Sequence, residues 1–359
     1  MNFAIFGLSV SSSWGNGHAV LWRGLIAALL DLGHNVTFFE RDTDYYANNR
    51  DLTALPSGGR LVLYPDWPGV HAQAREAAYA ADVAIVTSYC PDALAVTEML
   101  MDAHRPLRCF YDLDTPVTLA RLDLGETVDY LGRDGLAGFD LVLSYTGGGA
   151  LTALHELLGA RRVAPLYGWV DPTRYAPGTP NGPTAALSYL GTYAADRQDT
   201  VERLFVAPAR ANPAQRFVIG GAQYPADFPW TDNIYFVRHV PPAAHPAFYA
   251  NSRVTLNVTR GAMARMGWCP SGRLFEAAAC GAPILSDSWA GLDDFFRPGI
   301  DILTADSTVE ALEALALSDA ELARVADSAR LRVLAHHTAA HRAEHLVALV
   351  GQTARREHA

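Results

Sequence analysis

Short apolar runs alternate with stretches of helical periodicity along the first half of the chain. Residues 3–8 read as a strand. Val20, Leu21, Leu25, Ala28, Leu29 and Leu32 recur at helical spacing and predict a helix over 19–32, with Gly33 as its stop. The β-branched and aromatic run 35–39 (NVTFF) predicts the next strand. Further strands are expected at 60–64, 83–87, 108–111, 141–144 and 162–165, with helices such as 92–103 between them. Strands apolar on both faces and separated by helices predict a parallel sheet covered on both sides.

The pattern then breaks. Residues 167–183 (YGWVDPTRYAPGTPNGP) hold four prolines and three glycines, which suits a connection rather than an element interior. The alternation restarts with strands expected at 186–189, 216–220, 234–237, 254–258 and 283–286. Helices are expected at 200–207, 273–280, 309–316, 320–335 and 341–355. The fold class expected is therefore α/β, with two Rossmann-like, doubly wound domains, 1–170 and 171–337. A C-terminal helix, 338–359, is expected to pack back on the first domain. Such sheets bind ligands at the carboxyl ends of their strands, which would face each other across a cleft.

Composition narrows the function. A net charge of −10 argues against nucleic acid as a partner, but not against a small anion held by a few arginines. Cys90, Cys109, Cys269 and Cys280 form no CxxC pair and read as free thiols of a reducing compartment. The first apolar run has no basic segment before it, and no apolar stretch reaches membrane-spanning length. No transmembrane segment and a cytoplasmic location are expected.

The densest chemistry lies in 270–287 (PSGRLFEAAACGAPILSD). Ser271 is a good helix cap and Gly272 allows close approach to the backbone. Free N–H groups at a helix start, with the Arg273 guanidinium, attract phosphate oxygens. Glu276 shares the helix face of Arg273 and could accept hydrogen bonds from vicinal hydroxyls. An ordinary helix–strand unit with an Arg273–Glu276 surface pair reads the same residues equally well. Gly191 and Thr192 end a strand, with Arg197 soon after, and can present donors to phosphate. Arg260 follows another strand and could neutralise a diphosphate, whereas Arg265 reads as a solvated charge. In the first domain, 11–18 (SSSWGNGH) brings His18 to a helix start after Gly15 and Gly17. Histidine is the usual general base near neutral pH, although a capping or phosphate-binding role is open for it too. Asp112 and Asp114, spaced i, i+2 after a strand, could bind a metal or orient His18. A full G-x-G-x-x-G is lacking because Val20 stands at the third place, which argues against a dinucleotide-dependent dehydrogenase.

The phrase R-L-F-E-A-A-A-C-G-A-P-I-L-S-D resembles the donor segment of GT-B glycosyltransferases, most closely the CgeB-type spore-maturation group within the group 1 transferases. The resemblance implies a metal-independent glycosyltransferase with no cofactor, a nucleotide diphosphate sugar as donor substrate, and an unidentified acceptor that is a glycan, protein or small molecule. It makes Glu276 the ribose ligand, Ser271, Gly272 and Arg273 the phosphate-binding helix start, and Arg260 a diphosphate contact. Gly191 and Thr192 form the phosphate loop, and His239 and Val240 lie in the loop that reads the base. The turn Gly17-His18, with the later L-G-H-N-V-T-F, resembles the opening of many such enzymes. There His18 stands where inverting members carry the base, Asp114 is its orienter, and Trp14, Asn16 and Gly17 face the acceptor. Residues 170–175 resemble the interdomain hinge phrase. Trp268 departs from the pattern: many retaining members carry a second glutamate there. A sugar-nucleotide epimerase, or a non-catalytic nucleotide-sugar-binding scaffold, would share this architecture.

Overall fold

A computed structural model describes residues 1–56 and 58–357, with side chains described through residue 355. The chain divides into two compact units, Met1–Tyr167 with Ala339–Ala359, and Gly168–Thr338.

The first unit is built on a seven-stranded, all-parallel sheet. Its strands are β1 (Asn2–Gly7), β2 (Asn35–Arg41), β3 (Gly59–Tyr64), β4 (Val83–Thr87), β5 (Leu107–Asp112), β6 (Leu141–Ser144) and β7 (Val163–Pro165). Their order across the sheet is β3-β2-β1-β4-β5-β6-β7. All five residues of β4 are buried, as the unbroken apolar run required. The order reverses between β1 and β4, so the connections leaving their carboxyl ends run to opposite faces and open a crevice there. Helix Gly17–Asp31 buries Trp22, Leu25, Ile26 and Leu29. Gly33, at φ +79°, turns the chain out of it. Helix Trp67–Ala80 is capped by Asp66, whose carboxylate accepts from Gly69 N at 2.9 Å. The last helix, Ala339–Glu357, packs against Gly17–Asp31. Arg342 Nε donates to the Tyr167 carbonyl at 3.2 Å and Arg162 Nη1 to that of Thr353 at 3.4 Å, fixing both ends.

The second unit carries a six-stranded parallel sheet of β8 (Ala185–Leu190), β9 (Phe217–Gly221), β10 (Ile234–Arg238), β11 (Ser252–Asn257), β12 (Ile284–Ser286) and β13 (Leu303–Thr304). The order is β10-β9-β8-β11-β12-β13, with the reversal between β8 and β11. Strand β13 has only two residues, too short to show in the sequence pattern. The helix expected to end at 207 instead runs from 198 to 211, through Pro208. Pro208 lacks the N–H that would complete the turn before it, and a π-helical turn over Glu202–Val206 carries the chain past that gap. Two later helices start with capping boxes, Ser307 with Glu310 and Ser318 with Glu321. Apart from a bridge at Val170, the Pro/Gly stretch 167–183 forms no helix or strand. No described helix is long and apolar enough to cross a membrane. All four cysteines are buried and unpaired by disulfides.

Candidate active site

At the carboxyl edge of the first sheet, the loop after β1 is held by a buried carboxylate near the end of β2. Glu40, the sixth residue of β2, has no exposed surface. It accepts hydrogen bonds from Ser9 Oγ at 2.8 Å, Val10 N at 2.7 Å, Ser11 N at 2.9 Å and Ser11 Oγ at 2.6 Å. Arg23, from helix Gly17–Asp31, donates Nε to the Val10 carbonyl at 2.8 Å and grips Asp51 with both terminal nitrogens. Asp51 in turn accepts from Ser13 N and Oγ. Burial opposes the Asp51 charge, but hydrogen bonds from Arg23 and Ser13 prevail and hold its carboxyl down at about 2.

The loop so fixed delivers His18. Asn16, only 6% exposed, caps the helix by accepting from His18 N at 3.1 Å, and its amide nitrogen donates to the Ser9 carbonyl at 3.3 Å. The capping role belongs to Asn16 and not to His18. His18 Nε2 stands 3.3 Å from Asp114 Oδ2, with the two side chains 19% and 22% exposed. His18 Nδ1 is buried and has no hydrogen-bond partner. Asp114 follows β5, and its N–H donates to Asp112 Oδ1 at 3.0 Å. Asp112 is fully buried and its Oδ2 has no partner; burial pushes its carboxyl up to about 6. The i, i+2 pair thus divides: Asp114 meets His18 and Asp112 lies in the interior beneath it. Among the described residues no group of three or more His, Cys, Asp or Glu is placed to hold a metal ion. Tyr89, just past β4 and at φ +63°, lies 5.9 Å from the His18 ring, centroid to centroid. Trp14 is 40% exposed, and Gly17 is open to solvent. Tyr45 covers Gly15, where a Cβ would come within 2.9 Å of its hydroxyl.

At the carboxyl edge of the second sheet, Ser271 caps the eight-residue helix Gly272–Ala279, its Oγ accepting from Arg273 N at 3.4 Å. Arg273 Nη1 donates to Asn257 Oδ1 at 3.1 Å, and its guanidinium lies 5.3 Å from the Tyr189 ring centroid. Asn257, at the end of β11, uses its other side to donate to Ser286 Oγ at 3.0 Å. A Cβ on Gly191 would meet Arg273 Nη2 at 2.9 Å and Tyr189 Oη at 3.0 Å, so that position admits no side chain without displacement. The β8 and β9 ends approach just as closely: a Cβ on Gly221 would fall 2.0 Å from the Gly191 carbonyl oxygen. Thr192, next along, is exposed, and its carbonyl accepts from Arg197 Nη1 at 3.3 Å. His239 follows β10 at φ +52° and donates its N–H to Gly221 O at 2.8 Å. Asp287, beyond β12, accepts from Thr259 N and Oγ1 at 2.9 and 3.0 Å, and burial raises its pKa.

Arg260 is drawn to Asp196, Nε to Oδ2 at 3.3 Å, and Arg265 is exposed. Glu276 is ringed by Tyr175, His245 and Tyr249; its Oε2 is 3.4 Å from His245 Nδ1. Trp268 sits at φ +45° with its ring against Gly291, and its Nε1 donates to Asp294 Oδ2 at 2.5 Å. Sequence reasoning passed over Glu40, Arg23, Asp51, Asn257, His245 and Tyr249. For Glu40 a signal existed: a charge directly after the apolar pair Phe38-Phe39, near the carboxyl end of β2. Tyr175 was read only as part of a hinge phrase.

Residues 197–348 match the model of a glycosyl transferase-like family, a span short of half the chain. No curated protein sequence matches the chain. Among solved structures, sucrose-phosphate synthase from Thermosynechococcus elongatus superposes with a TM-score of 0.70 at 15% identity, covering 98% of both chains. HepE from Anabaena, in complex with UDP-glucose, gives 0.66 at 13% identity over 98% of this chain and 100% of its own. An alpha-glucosyltransferase in complex with UDP gives 0.68 at 12% identity over 98% and 100%. The protein therefore has the GT-B fold, two parallel-sheet Rossmann-like units, and its second unit contains most of a glycosyl transferase-like segment.

Proposed function

We propose that this chain is a glycosyltransferase that moves a sugar from a nucleotide diphosphate sugar to an acceptor. The observation that carries the reading is the Ser271–Glu276 cluster: a capped helix start, an arginine and a carboxylate at a parallel sheet's carboxyl edge, within the span that matches the family model. Two of the structural neighbours bind UDP or UDP-glucose, and a uracil nucleotide is accordingly the first donor to try.

In this reading the second unit holds the donor. The N–H groups around Gly272 and the Arg273 guanidinium take the diphosphate, which gains charge as it leaves; preorganised donors of this kind stabilise developing charge without reorganising. Arg260 adds its charge after exchanging Asp196 for phosphate. Glu276 accepts from the ribose hydroxyls, Gly191 and Thr192 border the phosphates, and the loop with His239 and Val240 meets the base. The first unit supplies the base, in a turn where Trp14, Asn16 and Gly17 border the acceptor. With Nε2 turned to Asp114, His18 has Nδ1 left to accept the acceptor hydroxyl proton, and a buried polar atom without a partner fits that duty. The acceptor oxygen then bonds to the sugar carbon as the bond to the diphosphate oxygen breaks. Asp114 stabilises the imidazolium that forms.

The test is thermal shift against nucleotide diphosphates and their sugars, with Glu276→Ala alongside, followed by turnover of the stabilising sugar nucleotide with His18→Ala. A shift with one nucleotide diphosphate that Glu276→Ala abolishes supports the reading. Equal shifts in both proteins, or none at millimolar ligand, refute it. The CgeB-type assignment and a cytoplasmic site of action belong to the same proposal.

A further inference from the structure

One side chain in the second unit joins the two groups assigned to the two ends of the nucleoside. His245 opens helix His245–Ala250. Its Nε2 stands 3.2 Å from the Val240 carbonyl, in the loop after β10, and its Nδ1 stands 3.4 Å from Glu276 Oε2. Tyr175 Oη lies 3.5 Å from the same Nδ1, and burial together with the nearby Glu276 charge holds its pKa well above the ordinary phenol value. The arrangement is enclosed: Tyr175 is 2% exposed, and the His245 and Glu276 side chains are 14% and 17% exposed. Tyr249 packs edge-on to His245, and Cys280 lies one helical turn beyond Glu276.

Donor and acceptor roles give the contact its direction. A carbonyl oxygen only accepts, so Nε2 carries a proton toward Val240. A carboxylate also only accepts, so with Nε2 donating to Val240 the ring presents Nδ1 to Glu276 Oε2 at 3.4 Å, beside the Tyr175 hydroxyl at 3.5 Å, which can donate. The imidazole thus spans from a backbone carbonyl on one element to a carboxylate on another. A rigid ring held by polar contacts at both ends fixes the separation of the two groups it bridges, which a single-ended contact cannot do.

We propose, on the reading of Glu276 as the ribose ligand, that His245 and Tyr175 are positioning residues. They set the distance between the base-reading loop and the ribose carboxylate, and so make this site selective for a complete nucleoside diphosphate over a bare diphosphate. Neither residue touches the phosphate-binding elements Ser271, Gly272 and Arg273 in the contacts described, so the two halves of donor recognition are separable. Calorimetric titration of the full chain with uridine diphosphate and with inorganic pyrophosphate tests this. Wild type is expected to bind uridine diphosphate more tightly than pyrophosphate. His245→Phe keeps a ring but loses both contacts; it should weaken uridine diphosphate binding about tenfold or more, with pyrophosphate affinity held within about twofold. Tyr175→Phe should shift the same ratio in the same direction. The retained pyrophosphate site shows that each variant is folded. An unchanged uridine diphosphate affinity, or equal loss of both ligands, overturns the proposal. If wild type itself binds neither ligand, the underlying donor reading fails instead.

Discussion

Glu40 offers the sharpest test of how the loop leading into His18 is held. Its Oε2 accepts the buried N–H groups of Val10 and Ser11, and its Oε1 accepts two serine hydroxyls. Glu40→Ala strands the two N–H groups, at about 1–3 kcal/mol each, while the hydroxyls can turn to other partners. A loss of about 3–5 kcal/mol follows once some relaxation is allowed. For a unit of this size that lowers the melting midpoint by roughly 6–20 °C. Glu40→Gln should be much milder. Its carbonyl can face the two N–H groups and its amide can donate to the serines, costing about 1–2 kcal/mol of charge assistance. Because the loop leads into His18, turnover should fall in both variants, while nucleotide affinity, a property of the other unit, stays at the wild-type level. Calorimetric melting, nucleotide titration and initial rates read the three quantities. A Glu40→Ala protein melting within about 2 °C of wild type would refute the account, as would equal damage from alanine and glutamine.

Other expectations concern single contacts. Asp114→Asn removes the charge 3.3 Å from His18 Nε2 and should lower turnover by about 10²–10³-fold without weakening uridine diphosphate binding; loss of binding in step with rate would exclude an orienting role. Gly191→Ala sets a methyl 2.9 Å from Arg273 Nη2, which must move aside, so uridine diphosphate affinity should drop about tenfold with little change in melting. Asp112, with its carboxyl raised from 3.8 to about 6 by burial, binds more protons folded than unfolded across that window. Its contribution to stability therefore falls as pH rises from about 4 to 6, by up to roughly 3 kcal/mol, and Asp112→Asn should flatten that part of the stability–pH profile measured by denaturant titration.

The fold was legible because both sheets are parallel and buried. Apolar runs such as 83–87 and 141–144 coincide with β4 and β6 to the residue. Periodicity failed where geometry is not periodic: two-residue β13 has no pattern to show, and the helix expected over 200–207 runs on through Pro208 because the π-turn that accommodates it leaves no trace in composition. The site was legible where chemistry sits in one short segment, as with Ser271, Arg273 and Glu276. His18 and Asp114 could be paired only by supposing that the ends of β1 and β5 lie near each other. Residues that act from another element gave no such clue. His245 reads as one more histidine before a proline, and Tyr175 as part of a proline-rich connection, until the chain is folded and both arrive beside Glu276.

The membership of helix Ala339–Glu357 in the first unit bears on how the protein is made. Synthesis on the ribosome runs through every residue of the second unit before this helix emerges, yet its packing partner, Gly17–Asp31, appears before that unit begins. During that interval the nascent first unit has its sheet but not the cover for one flanking helix, the helix that carries His18. The second unit, continuous from Gly168 to Thr338, has no such wait. Translation thus imposes an order in which the second unit can mature before the first receives helix Ala339–Glu357, a period in which chaperone engagement would fall on the surface that this helix later occupies.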